Sequence, residues 1–277
     1  TSGSITIADI IDDSLKEVDE TVIVTLSNPS NATLGSDSVH TYTIIDNDTP
    51  PVVNFKATSS NGDESVSSKV ITVNLSAASS QNITVDYSVS GTATGSGTDY
   101  TLANGTLTIN AGSTSGIITI GNIVDDSLDE VDETIIVTLS SPSNATLGNN
   151  NVHTYVINDD ENAPSIGFNL ISSSNDESVA SQSIDVNLSS VSSKNITVNY
   201  SATGTATGSG TDYNLANGTL TINPGEVNGT ITITDIVDDS LDEANETVII
   251  TLSSPTNASL GTDIVHTYTI NDNDNAP

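Results

Sequence analysis

The chain of 277 residues carries 36 acidic side chains against only four basic ones, which gives a formal net charge of −32 at pH 7. This negative field repels nucleic acids and anionic membrane surfaces, so neither is expected as a partner. Cysteine, methionine and tryptophan are absent, which excludes disulfides and thiolate metal sites. Apolar runs of only a few residues fall far short of the roughly 20 that cross a bilayer, so we expect no membrane insertion and no signal peptide.

A repeat of 113 residues organises the chain. The phrase Asp-Asp-Ser-Leu occurs three times in identical form, beginning at Asp12, Asp125 and Asp238. Residues 52–164 and 165–277 are predicted to be two complete domains, because they match at about two thirds of their positions. Residues 1–51 match the last part of such a unit. We therefore expect the chain to begin within a domain, as a window cut from a longer polypeptide; the alternative is that another chain supplies the missing strands.

In chain order, the first apolar runs predict three strands in the partial unit, at Ser4–Ile11, Thr21–Leu26 and Val39–Ile45. The first complete unit adds about seven β-branched, alternating runs, at Val53–Phe55, Val70–Leu75, Ile83–Tyr87, Leu107–Ile109, Ile117–Ile120, Ile135–Leu139 and Val152–Ile157. No window has a helical period. The predicted fold class is all-β, with tandem antiparallel sandwiches of about seven strands. The linking segment 158–164 is short and ends in proline, so neighbouring domains are expected to lie end to end.

Acidic residues cluster where strands end. In the first complete unit they fall at Glu64, at Asp99, between Asp125 and Glu133, and from Asp159 to Glu161. Antiparallel neighbours exit and enter at the same pole of a sandwich, so these carboxylates are expected to meet there. Two charges 4 Å apart repel by about 1 kcal/mol even in bulk water, which indicates a bound cation. Oxygen ligands without Cys or paired His favour Ca²⁺ over zinc or copper, and flexible loops suit it better than Mg²⁺.

The acidic run has two other interpretations. The stretch Asp125-Asp126-Ser127-Leu128-Asp129-Glu130 is not an EF-hand, because the ligand spacing, the central glycine and the flanking helices are missing. A merely solubilising acidic loop is the alternative. Recurrence of the acids at the same loop edges in each unit favours the metal site.

Several phrases of the first complete unit together resemble the Calx-beta domain: Gly91-Thr92-Ala93-Thr94, Asp99-Tyr100, Gly105-Thr106-Leu107-Thr108-Ile109, Ile123-Val124-Asp125-Asp126 and Ile157-Asn158-Asp159-Asp160. The next unit repeats them, and the partial unit contains the last ones. The resemblance implies an immunoglobulin-like sandwich with calcium at one pole. The family includes regulatory domains of sodium/calcium exchangers and repeats of long extracellular adhesins.

The resemblance also implies a ligand set for each unit. In the partial unit it comprises Asp12, Asp13, Glu17, Glu20, Asp46 and Asp48. In the first complete unit it comprises Glu64, Asp99, Asp125, Asp126, Glu130, Glu133, Asp159, Asp160 and Glu161, with Leu128 through its carbonyl oxygen. In the second it comprises Glu177, Asp212, Asp238, Asp239, Glu243, Glu246, Asp272 and Asp274. Asn47 and Asn273 replace the acid at Asp160, which implies fewer or weaker ions at those poles.

These observations predict a calcium-binding structural repeat of a secreted or cell-surface filament or adhesin, in which calcium rigidifies domain junctions. Its expected partners are calcium ions, neighbouring repeats and like chains in a filament. A calcium-sensing regulatory module and a ligand-binding adhesion module are the alternatives. An enzyme is not expected: the chain has no Gly-x-Ser-x-Gly motif, and the single histidine of each unit, at His40, His153 and His266, is interpreted as structural.

Overall fold

The computed structural model describes residues 1–275, so Ala276 and Pro277, the last two residues of the predicted unit 165–277, lie outside the described residues. Every named element in this range is a β-strand, which confirms the predicted all-β class. A search of the same residues finds no helix with the length and apolar character needed to cross a membrane.

The described chain divides into two compact units. The first contains residues 1–125 and 133–158, and the second contains residues 126–132 and the chain from 159 onward. The first unit therefore includes the partial repeat 1–51, whereas the loop 126–132 joins the second unit although it lies inside the repeat 52–164. The domain limits 52–164 and 165–277 follow the sequence period and stay a prediction.

The first unit contains two strands of the partial repeat and nine of the complete repeat. They are β1 Glu20–Thr25, β2 Val39–Ile44, β3 Val52–Phe55, β4 Ser59–Asp63, β5 Ser68–Leu75, β6 Ile83–Gly91, β7 Gly105–Ile109, β8 Ser115–Gly121, β9 Glu133–Ser143, β10 Thr146–Leu147 and β11 Val152–Asn158. The complete repeat forms one sheet of order β10-β3-β5-β8 and one of order β4-β11-β9-β6-β7.

The second unit repeats this topology. Its strands are β12 Ser165–Phe168, β13 Ser172–Asp176, β14 Gln182–Leu188, β15 Ile196–Gly204, β16 Gly218–Ile222, β17 Asn228–Ile233, β18 Glu246–Thr256, β19 Ser259–Leu260 and β20 Val265–Asn271. The two sheets have the orders β17-β14-β12-β19 and β13-β20-β18-β15-β16.

Alternation of apolar and polar residues builds the core of each sandwich. In β5, Ile71, Val73 and Leu75 are buried, while the residues between them are partly exposed. Inward residues of the opposite sheet, such as Val137 and Tyr155, join the same buried cluster. Burying one such aliphatic side chain stabilises the fold by about 1.5–3 kcal/mol. The same alternation encloses an equivalent cluster in the second unit.

Two short strands of each complete repeat were not apparent in the sequence. The polar strand β4 pairs in parallel with β11, with Ser59 opposite Thr154, and the two-residue strand β10 pairs in parallel with β3. Their residues lack the β-branched alternation that marks the other strands, so tertiary pairing rather than intrinsic propensity forms them. The pairing of β4 with β11 matters for function, because it carries Glu64 to the end of β11.

The partial repeat differs from its prediction. β1 and β2 pair antiparallel, but the strand predicted at Ser4–Ile11 is absent, so that prediction was wrong. Its counterpart β8 pairs with β5, and residues 1–51 contain no equivalent of β5 to accept such pairing. The apolar face is correspondingly uncovered: Tyr42 is 41% exposed, whereas its counterpart Tyr155 is 0% exposed.

Candidate metal centre

Strand pairing brings acidic loops together at one end of the second unit. β13 runs parallel to β20, with Asp176 opposite Asn271, so both strands end at the same pole. β18 runs antiparallel to β20, and its first residue, Glu246, lies opposite Ile270. The chain therefore places Glu177, Glu246 and the segment after β20 around one point. We call the set Glu177, Asp212, Asp238, Asp239, Glu243, Glu246, Asp272 and Asp274 the acidic pole.

Three members of the acidic pole form a compact group of oxygen atoms. Glu177, Asp272 and Asp274 each offer a carboxylate oxygen within 4.8 Å of the others. Glu177 is only 6% exposed, and its Oε1 accepts a hydrogen bond of 3.5 Å from the backbone N–H of Asn273. Asp272 Oδ1 and Asp274 Oδ2 are buried and accept no hydrogen bond within the described residues. Buried carboxylate oxygens without a donor are costly, and a cation between them would offset that cost.

The electrostatics of this group agree with its geometry. Burial raises the pKa of Glu177 above its ordinary value of 4.5, and the negative charges of Asp272, Asp274 and Asp238 add to the effect. Burial and the neighbouring carboxylates also raise the pKa of Asp274. Each shift has the sign expected when like charges are held together without a counter-ion.

A cavity connects this group to the rest of the acidic pole. Its lining includes six acidic residues, Glu177, Asp212, Asp239, Glu243, Glu246 and Asp272. Burial, followed by the charge of Asp212, raises the pKa of Glu246. Asp238 reaches the group through Asn273, whose Nδ2 donates a hydrogen bond of 3.4 Å to Asp238 Oδ1. The structure therefore brings the eight predicted residues of this repeat to one pole, where their oxygen atoms suit a hard cation.

The Gly-Thr-Ala-Thr phrase shapes the loop that presents Asp212. Gly204 ends β15 with φ of +139°, and a Cβ there would lie 2.0 Å from the carbonyl oxygen of Thr247. The next turn closes on Asp212, whose Oδ2 accepts a hydrogen bond of 2.6 Å from the Thr207 N–H. The Val237 N–H then donates to the Asp212 carbonyl at 3.0 Å. This last bond ties the Asp238–Asp239 loop to the Asp212 loop.

The first unit repeats several of these features. Glu64 follows β4 and is 7% exposed, and Glu133 begins β9. Asp99 Oδ2 accepts from the Thr94 N–H at 2.5 Å, and the Val124 N–H donates to the Asp99 carbonyl at 2.9 Å, which places Asp125 next to that loop. Within this unit, the structure thus supports Glu64, Asp99, Asp125 and Glu133 as residues of one pole.

The remaining predicted ligands of the repeat 52–164 lie in segments of the second unit. They are Asp126, Leu128, Glu130, Asp159, Asp160 and Glu161. Asp126 Oδ1 accepts from the Leu128 N–H at 2.7 Å, which folds the loop into a tight turn. Asp159 Oδ1 accepts from the Glu130 N–H at 2.9 Å. The role of the Leu128 carbonyl oxygen stays a prediction.

In the partial repeat, five of the six predicted ligands line one open cavity: Asp12, Asp13, Glu17, Asp46 and Asp48. Burial, followed by the charge of Asp13, raises the pKa of Glu17. A hydrogen bond from the Lys16 ammonium instead lowers the pKa of Asp46. Glu20 begins β1 and is exposed, and its charge contributes to the shift of Glu17.

Sequence reasoning missed a set of side chains that hold the pole together. Asp19, Asp132 and Asn245 occupy equivalent positions, and each accepts a hydrogen bond from the backbone N–H of the aspartate after the last strand, at 3.1, 3.2 and 3.1 Å. Their recurrence every 113 residues was visible in the sequence. An acceptor role could not be distinguished from a ligand role without the loop geometry.

The histidines of the complete repeats have structural contacts. His153 is 3% exposed, its Nδ1 lies 2.7 Å from the Ala57 carbonyl, and its Nε2 lies 2.8 Å from Ser60 Oγ. His266 has the equivalent contacts with Leu170 and Ser173. Both ring nitrogens are thus engaged, Nε2 with β4 or β13 and Nδ1 with the segment just before that strand.

Comparison with known proteins gives consistent matches. The family model described as Calx-beta domain matches residues 4–48, 46–161 and 159–274. Sodium/calcium exchanger 1 of Rattus norvegicus is 30% identical over 190 residues, which is 62% of this chain and 19% of the exchanger. The chain thus spans less than a fifth of the length of that relative.

Two solved structures are also similar to the chain. CBD12 from CALX1.2 is 20% identical, with a TM-score of 0.38, and the match covers 79% of this chain and 100% of that one. The calcium binding domain CBD12 of CALX1.1 is 24% identical, with a TM-score of 0.38 and coverage of 76% and 82%.

Proposed function

The chain belongs to the Calx-beta domain family, and from this premise we propose that its acidic poles bind Ca²⁺ and that the repeats serve as a calcium-stabilised structural array. One observation carries the proposal: Glu177, Asp272 and Asp274 converge within 4.8 Å, and two of their buried oxygens accept no hydrogen bond within the described residues. Ca²⁺ accepts carboxylate oxygens in flexible, high-coordination geometry, which matches loops contributed by four parts of the chain.

The proposed role is structural rather than regulatory. The two complete repeats match at about two thirds of their positions and have no length difference, as expected when uniform repeats build a long array. In this proposal the chain is part of a secreted or cell-surface filament or adhesin, and calcium stiffens the contacts between successive repeats. The secreted location is supported by the acidic, lysine-poor composition, whereas the exchanger relative gives it no support.

A calcium-sensing module is the second candidate, favoured by the similarity to a sodium/calcium exchanger. The two roles differ in the affinity that they require. Sensors of intracellular calcium bind at about 10⁻⁷–10⁻⁵ M, whereas extracellular modules bind at about 10⁻⁴–10⁻³ M. We propose no catalytic activity for either role. The carboxylates of the acidic pole are assigned to a metal ion, and the ring nitrogens of His153 and His266 are engaged in structural contacts.

Calorimetric titration of the full chain with Ca²⁺, after removal of divalent ions, tests the proposal. We expect saturable binding with dissociation constants near 10⁻⁴ M. Binding at or below 10⁻⁶ M would favour the sensing module. No saturable binding in the millimolar range would show that the poles are only solubilising.

A further inference from the structure

A loop of one repeat contacts a turn of the next through a buried aspartate. Asp129, in the loop 126–132, is 2% exposed and forms a parallel bridge with Ser192, in the turn between β14 and β15. Its Oδ2 accepts from Ser192 Oγ at 2.6 Å, and its Oδ1 accepts from Lys194 Nζ at 2.8 Å. The Ser193 N–H donates to the Asp129 carbonyl at 3.0 Å. The loop and the turn are therefore joined by a backbone hydrogen bond and by an ion pair.

The same backbone contact occurs 113 residues earlier, with the lysine on the loop and a neutral glutamine on the turn. Lys16 forms the equivalent parallel bridge with Ser79, and the Ser80 N–H donates to the Lys16 carbonyl at 3.0 Å. Lys16 stands at the position of Asp129, and Gln81 stands at the position of Lys194. The loop supplies the lysine in this contact, whereas the turn supplies it in the other.

One ammonium group faces the same acidic position in both contacts. Lys16 Nζ is hydrogen-bonded to Asp46, whose side chain is 6% exposed. Lys194 Nζ lies 3.6 Å from Oδ2 of Asp159, the counterpart of Asp46, whose side chain is 11% exposed. The whole chain has only four basic residues, and two of them are used here. A covered carboxylate needs a counter-charge, which explains why a lysine is kept in either place.

We propose that this contact is a charge-matched pairing site between successive repeats, in which the loop residue and the turn residue together supply one lysine. The third loop carries Asp242, which is exposed and has no ion pair or hydrogen bond to its side chain among residues 1–275. Asp242 therefore forms part of a docking surface for a turn that carries lysine, such as Ser192–Lys194. A turn of the Ser79–Gln81 type leaves Asp242 without its counter-charge. The partner is accordingly another copy of this repeat, selected by its turn.

Moving the lysine from the turn to the loop in the full chain tests the pairing. Lys194→Gln should lower the melting temperature of the second unit by about 5–10 °C, because Asp129 loses its counter-charge in a covered position. Asp129→Lys places two ammonium groups together and should also be destabilising. The double variant recreates the contact of Lys16 with Gln81, and we expect it to recover at least half of either loss.

Two exposed positions provide matched controls. Lys56→Gln and Asp185→Lys make the same charge changes away from the contact. All melts are recorded in chelator, so that the result does not depend on calcium binding. If the losses of the two single variants simply add in the double variant, or if the controls reproduce them, the pairing is contradicted.

The docking surface is tested by extending the chain with a fourth repeat. We would append a copy of residues 165–277, which has the lysine turn, or a copy of residues 52–164, which has the glutamine turn and differs at about a third of its positions. Hydrogen exchange of the backbone amides of residues 239–244 should slow at least tenfold with the lysine turn and change little with the glutamine turn. Gln81→Lys in the appended copy should restore the protection. Equal protection by both turns, or protection by neither, would overturn the selection by Asp242.

Discussion

Asp272 combines two opposing effects that a single substitution can separate. Its carboxylate lies with those of Glu177 and Asp274, and its Oδ1 accepts no hydrogen bond within the described residues. Without a cation, Asp272→Asn should raise the melting temperature, because it removes like-charge repulsion from a covered site. In excess Ca²⁺, the same variant should melt below the wild type, because a charged ligand is lost.

Thermal melts in chelator and in calcium measure this change of sign. Asp185→Asn, on the exposed face of β14, removes one negative charge that is not part of the acidic pole and serves as the control. It should shift both melts by the same small amount. A decrease in stability under both conditions for Asp272→Asn would show that the side chain has only a structural role.

The raised pKa values at the acidic pole predict how pH affects the metal-free protein. Glu177 and Asp274 have pKa values above their ordinary values of 4.5 and 3.8, so the folded state binds more protons than the unfolded state. Stability must therefore increase as pH falls from neutral towards these ordinary values. Above the raised pKa values both carboxylates are ionised, and their full destabilising effect on the folded state is present. Denaturant melts between pH 7 and pH 4.5 in chelator measure this trend.

Calcium should reverse the direction of that pH dependence. Because Ca²⁺ competes with protons for the same oxygens, its stabilising effect should decrease as pH falls through the same range. A metal-free protein that loses stability steadily between pH 7 and pH 5 would contradict the assignment of these carboxylates to a repulsive cluster.

The identity of the pole residues could largely be predicted, but the role of each one could not. Acid density and recurrence identified Glu177, Asp272 and Asp274. Asp129 lies in the same acidic run but is turned away, into the contact with Ser192 and Lys194. Nothing in the local sequence distinguishes a carboxylate directed to the pole from one directed to another loop. The difference is set by long-range packing.

At the scale of the element, Gly204 is the position where backbone geometry controls the site. An alanine Cβ would approach the Thr247 carbonyl oxygen to 2.0 Å, at a φ of +139°. Gly210 has φ of +84° but has no atom within 4 Å of its Cβ position. Gly210→Ala should therefore cost only about 1–2 kcal/mol for the left-handed backbone. Gly204→Ala should cost more, because the β15–β18 contact must also separate.

Denaturant unfolding and calcium titration of both variants check this comparison. Gly204→Ala should also weaken calcium binding, because it displaces the loop that ends at Asp212, whereas Gly210→Ala should leave the affinity nearly unchanged. Equal free energies of unfolding for the two variants would show that the close approach to Thr247 is relieved without cost.

The strands that could be predicted are those whose residues alternate and lie between two partners or against the core. β5 and β9 are such strands. Elsewhere the sequence pattern missed one strand and predicted another that does not form. Polar β4 is a strand because β11 pairs with it. Apolar Ser4–Ile11 is not a strand, because its pairing partner is missing from residues 1–51. Strand formation in this family thus depends on the neighbouring strand as much as on the segment itself.

At the scale of the whole molecule, the net charge of −32 produces a general repulsion. The effect of salt on this repulsion must be distinguished from the binding of ions at the proposed sites. Any salt screens repulsion between exposed carboxylates, but only a coordinating cation satisfies oxygens buried as those of Asp272 and Asp274 are. A ligand that binds only the folded state stabilises it by about 2.7 kcal/mol per site at a hundredfold excess over its dissociation constant. Specific binding therefore predicts an effect well beyond that of ionic strength.

Melting the full chain in chelator, in CaCl₂ and in NaCl of the same ionic strength separates the two effects. We expect NaCl to raise the melting temperature slightly, and CaCl₂ to raise it further in proportion to the logarithm of its free concentration above saturation. MgCl₂ should fall between them, because Mg²⁺ requires a stricter octahedral geometry than these loops provide. Coincident melts in the three salts at equal ionic strength would show that the acidic poles respond to screening alone, and the calcium-stabilised array would have to be abandoned.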